Sequence, residues 1–141
     1  MRKIVINDCY GGFGVSEAGM RRYAEIKGIN LWVKKDRFGY NSYMIVPPSQ
    51  EMPEMDYVKW HGLSIEERKA HNEQYRQQQL NDDDFARDDP VLVQVVEELG
   101  TEKASDRFAN LKIVEIPDDV KWQIEEYDGT EWVAEEHRTW S

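Results

Sequence analysis

The chain has 141 residues, 40% of them apolar, enough for one domain with its own core. Its 28 Asp and Glu outnumber 18 Lys and Arg, and the net charge of −10 argues against binding nucleic acid through its phosphates. One cysteine rules out an internal disulfide, "MRKIVIN" is too short an apolar run for a signal peptide, and no stretch has the apolar length of a membrane span, so a reduced cytoplasmic setting is expected.

"KIVI" is a β-branched run that reads as a strand. After a glycine-rich turn, "SEAGMRRYAEIKG" reads as a helix, with Ser16 as N-cap and Gly28 as its stop. "INLWV" then reads as a second strand, and the order strand, helix, strand is compatible with a βαβ crossover or with an α+β arrangement. "YNSYMIVPP" reads as a strand closed by Pro47 and Pro48, and residues 49–62 lack a period and read as loop. "SIEERKAHNEQYRQQQL" opens with the capping box Ser64 and Glu67. Its few apolar residues make it a solvated helix, or one that finds its contacts in a homo-oligomer.

"NDDDFARDD" reads as an acidic linker, and Asp89-Pro90 as the start of a buried helix, "PVLVQVVEELG", that stops at Gly100. "LKIVEIP" is a core strand, and Asp128-Gly129 signals a β-hairpin. A two-residue turn there pairs Ile124 with Val133 on the core face and sets Glu126 opposite Glu131, two like charges face to face. That conflict favours a longer or bulged turn, unless the two carboxylates have a use. The predicted fold is a single α+β domain over residues 1–141, with a βαβ-like start, a small mixed sheet and a C-terminal hairpin.

The chemistry concentrates in "NDCYGGFGVS". Cys9 precedes a helix N-terminus, where the dipole favours a thiolate, and a Cys-His enzyme would draw on His61, His71 or His137. The phosphatase pattern fails, because the sixth residue after Cys9 is Val15 and not arginine. The P-loop pattern lacks its lysine, and the dinucleotide fingerprint has Glu17 where its third glycine belongs. What remains is an anion site of bare N–H groups along Gly11, Gly12, Gly14 and Ser16, flanked by Tyr10 and Phe13, with Arg21 and Arg22 a turn further on. The alternative is a tight turn in which the glycines supply unusual dihedrals and the aromatics plug the core. No metal-ligand spacing is present, and no cofactor is implied. Trp132 and Trp140, among acids that include Glu131 and Glu135, are candidate protein-contact groups.

Charge is uneven along the chain: residues 1–37 hold eight Lys and Arg against four Asp and Glu. Such polarity suits a partner of one sign and a ligand of the other.

The segments "KIVINDCYGGFGVSEAGMRRYAEIKG", "DDPVLVQVVEELG" and "ASDRFANLKIVEIPDDVKWQIEEYDGTEWVAEEHRTW" resemble a widespread set of small proteins encoded by tailed bacteriophages and prophages. Residues 34–88 look like that family's variable insert. The resemblance implies a phage origin and an accessory role in the host cytoplasm, with no catalytic residues to carry over. It is compatible with an inhibitor of a host protein or a binder of a small anionic, nucleotide-like ligand. Two other classes stay open: a small Cys9-dependent hydrolase or transferase, and an acidic DNA mimic that occupies a basic host protein.

Overall fold

The computed structural model describes residues 1–53 and 55–136. The chain is α+β and divides into two compact units, Met1–Gly28 with Asp82–Ser141, and Ile29–Asn81. In chain order the elements are β1 (Arg2–Asn7), α1 (Glu17–Lys27), β2 (Trp32–Lys35), β3 (Asn41–Met44), α2 (Tyr57–His61), α3 (Ile65–Gln77), α4 (Pro90–Ala104), β4 (Leu111–Ile116), β5 (Trp122–Tyr127) and β6 (Thr130–Glu135).

Among the described residues the strands form three two-stranded antiparallel sheets, β1 with β4, β2 with β3, and β5 with β6. The strand–helix–strand order of the first third is present, but β1 and β2 belong to different sheets and no parallel crossover forms. The reason lies in β1, where Ile4 to Asn7 are all buried. A strand covered on both faces needs apolar neighbours, and "LKIVEI" of β4 supplies them where "WVKK" of β2 does not.

In the first unit α1 packs on α4, and Met20, Leu92, Val95 and Leu111 are fully enclosed with Ile4 and Val5. Each such side chain contributes about 1.5–3 kcal/mol by leaving water. Ser16 caps α1 by accepting from the Gly19 N–H, and Gly28 ends the helix in the left-handed conformation. Gly100, at φ 81, interrupts α4 where the sequence places its stop. The segment read as an acidic linker is instead built into this core: Phe85 is buried and stacks on Tyr23, whose hydroxyl donates to Asp89 at 2.5 Å. Burial and that carboxylate push the Tyr23 hydroxyl well above the usual tyrosine range.

The second unit holds the β2–β3 hairpin, closed by Asp36, whose carboxylate accepts from the N–H groups of Phe38 and Tyr40. Residues expected to be loop contain α2, capped by Asp56, because the Asp56 side chain satisfies the Lys59 N–H at the helix start. The capping box of α3 forms as read, and α3 buries none of its residues.

Candidate functional site

Three turns of the first unit meet around one buried side chain, Asn7, at the end of β1. Its amide donates to the carbonyls of Cys9 and Gly129, and its oxygen accepts from the N–H of Asn110. The Cys9 thiol has two acceptors for its one proton, Asn7 Oδ1 at 3.4 Å and the Phe108 carbonyl at 3.0 Å. Asn7 thereby ties the glycine turn, the turn before β4 and the hairpin tip into one body.

Two glycines let the turns approach so closely. A Cβ on Gly11 would lie 1.7 Å from the Phe108 carbonyl oxygen, and one on Gly129 would lie 2.6 Å from that of Tyr10. Only a residue without a side chain fits either place.

The hairpin carries the next layer. Its turn has two residues, Asp128 at φ 50 and Gly129 at φ 91, and its register sets Glu126 directly opposite Glu131. The longer turn expected from the charge conflict is not formed, because Glu131 is neutralised. It is 8% exposed and takes a bidentate ion pair from Arg87, at 2.5 and 2.8 Å. The same carboxylate accepts the Asn7 N–H at 2.8 Å, and the Arg87 guanidinium lies 3.6 Å from the centre of the Phe13 ring. Phe13 thus stacks on an arginine of the chain itself. Glu131, expected among the protein-contact groups, is an internal anchor and offers no exposed carboxylate.

Two of the N–H groups at the end of the glycine turn are bonded within the chain. The Val15 N–H donates to the Asp82 carboxylate at 2.9 Å, and the Ser16 N–H to the Ala104 carbonyl. Burial holds the Asp82 carboxyl above its ordinary range, opposed by the Val15 N–H and reinforced by Asp83 and Asp106. Arg21 pairs with Glu17, and Arg22 with Glu98 and Glu25, so both arginines are held on carboxylates. Arg22 and Gln94 pull the Glu98 carboxyl down to about 2.

The proton of the Cys9 thiol faces two oxygens. His61 and His71 belong to the second unit, where their rings pack on Tyr57 and Trp60. That unit also has a cleft of about 310 Å³ walled by Met52, Met55, Trp60, His71 and Tyr75. Among the described residues no group of three His, Cys, Asp or Glu is placed to hold a metal ion, and no helix is long and apolar enough to cross a membrane.

The knotted turns present aromatic side chains outward. Tyr10, Phe108 and Tyr127 are 72%, 62% and 73% exposed, and each turn also carries an exposed aspartate: Asp8, Asp106 and Asp128. Gly14 also belongs to this framework, its carbonyl accepting from the Asp106 N–H. Trp132 is 43% exposed, its indole N–H on Glu125, and Glu135 lies exposed at the end of β6. Trp140 and His137 lie outside the described residues.

Sequence reasoning missed Asn7, Asp82, Arg87 and Phe108. The one local signal was the Glu126–Glu131 conflict, which favours a longer turn unless the two carboxylates have a use. Comparison with protein-family models, with curated proteins and with solved structures finds no match to this chain.

Proposed function

We propose that this is a non-enzymatic, phage-encoded accessory protein that acts in the host cytoplasm by binding a host protein, and that Tyr10, Phe108 and Tyr127 form the centre of the contact. The observation that carries this reading is the pairing of one exposed aromatic with one exposed aspartate on each of three turns locked together through Asn7. Aromatics on a rigid base bind with little loss of conformational freedom, and they dominate the energetics of protein interfaces. The aspartates and the net charge of −10 select a basic partner surface. A host protein is favoured over a small anion because two of the donors at the helix start, on Val15 and Ser16, already serve Asp82 and Ala104. The phage origin rests on the sequence resemblance.

The test is a comparison of the wild type with a Tyr10→Ser, Phe108→Ser, Tyr127→Ser variant as baits in host lysate, followed by titration of each recovered protein. The expected result is a melting temperature close to wild type and a loss of affinity of about 100-fold or more. Equal affinity in the two proteins would overturn the reading.

A further inference from the structure

The β1–β4 ladder leaves one edge open. In an antiparallel pair, successive residues turn their N–H and C=O groups alternately toward and away from the partner strand. In β1 the Val5 N–H goes to the Arg87 carbonyl and the Asn7 N–H to Glu131, both away from β4. The residues of β1 that bond β4 are therefore Arg2, Ile4 and Ile6, opposite Ile116, Val114 and Lys112. Leu111, Ile113 and Glu115 consequently turn their main-chain groups outward, and the Leu111 N–H is satisfied by Ser105 Oγ. Among the described residues no strand pairs with that edge, and the outward groups of Ile113 and Glu115 have no partner. Arg87 and Glu131 cover the β1 edge at Val5 and Asn7.

We propose that this edge pairs with β4 of a second copy, antiparallel about a two-fold axis at Val114, to give one four-stranded sheet. The choice of occupant comes from the sequence of β4 itself. With Val114 on the axis, Ile113 lies opposite Glu115 of the second copy, and each such pair exchanges both N–H···O bonds, so every open group of Ile113 and Glu115 is used. The same register places Val114 beside Val114, extending the apolar row that Ile4 and Val114 begin. Lys112 falls opposite Ile116 and never opposite another Lys112, and the two Glu115 carboxylates do not face each other. Each Glu115 also stands opposite Lys3 of its own chain, whose ammonium is held on Glu97. Slipping the register by two residues toward the C-terminus would set Glu115 against Glu115, so the strand carries its own selection of register.

Because the Glu115 N–H points away from β1, Glu115→Pro removes a donor that the monomer does not use. Sedimentation equilibrium in 0.3 M salt, from about 5 to 500 µM, follows association by mass action. The wild type is expected to reach twice the 16.6 kDa chain mass, and the variant to stay at that mass with an unchanged circular dichroism spectrum. Hydrogen exchange of the wild type gives a second measurement that needs no substitution. The amides of Ile113 and Glu115 are expected to gain about tenfold protection or more across the concentration range, while those already bonded to β1 do not change. A wild-type chain that stays monomeric, with no gain in protection, overturns the proposal. So does a folded Glu115→Pro chain that still dimerises.

Discussion

Arg87 and Glu131 form a partly buried bidentate ion pair between a segment that reads as linker and a hairpin strand, 44 residues apart. The pair lets Glu131 stand opposite Glu126 in a two-residue hairpin, and it closes the outer edge of β1 through Val5 and Asn7. Removing one partner strands the other charge in a site it cannot leave. Glu131→Ala and Arg87→Ala are each expected to lower stability by about 3–5 kcal/mol in urea unfolding. Glu126→Ala removes the exposed member of the facing carboxylates and is expected to change stability by less than about 0.5 kcal/mol. Equal losses at 126 and 131 would show that Arg87 does not discriminate between them.

Asn7 serves three turns at once. Asn7→Ala leaves the carbonyls of Cys9 and Gly129 and the N–H of Asn110 without their partner, each a cost of about 1–3 kcal/mol where water cannot reach. Chemical unfolding should register a loss of at least about 3 kcal/mol. The amides of the three turns should lose hydrogen-exchange protection together, since one side chain holds them.

The glycines of the turn divide by cause. Gly11→Ala meets the Phe108 backbone, whereas Gly12→Ala meets nothing within 4 Å and bears only the strain of φ 90. Gly12→Ala is expected to cost about 1–2 kcal/mol. Gly11→Ala should cost more, because main chain must move, and a larger loss at Gly12 would contradict the close approach.

Asp82 and Glu98 should give pH dependences of opposite sign. The Asp82 pKa is raised in the folded state, so its contribution is fully present below the ordinary carboxylate pKa and is lost as pH rises through the raised value. Asp82→Asn keeps an oxygen for the Val15 N–H and carries no charge. Its stability relative to wild type is therefore expected to rise from acid to neutral pH. The Glu98 pKa is lowered to about 2, so its contribution is present above the ordinary value and lost as pH falls toward about 2. Melting temperatures of Glu98→Gln should lie below wild type at pH 7 and converge with it near pH 2.

Cys9 separates the binding reading from a thiol enzyme. A serine hydroxyl can donate to the Phe108 carbonyl as the thiol does, so Cys9→Ser is expected to fold and to bind the partner with wild-type affinity. Loss of the cellular effect in a folded Cys9→Ser protein would favour the hydrolase or transferase.

The sequence by itself determined the local units of this protein. Ser16, Gly28, Ser64 with Glu67, and Asp128-Gly129 act within a few residues of their own backbone, and the caps and the turn form where those residues stand. A two-residue turn would set Glu126 opposite Glu131, but the like charges favoured a longer one, and only the Arg87 ion pair decided for the short turn. Tertiary structure decided which strand β1 joined, what neutralised Glu131 and what the Val15 N–H at the end of the glycine turn bonds. Those choices depend on partners as distant in sequence as Leu111, Arg87 and Asp82, and no local spacing encodes them. A bare N–H row or a lone carboxylate specifies that it needs a partner of opposite polarity. Whether that partner is a ligand or the chain's own side chain is set only when the chain closes on itself and water is excluded.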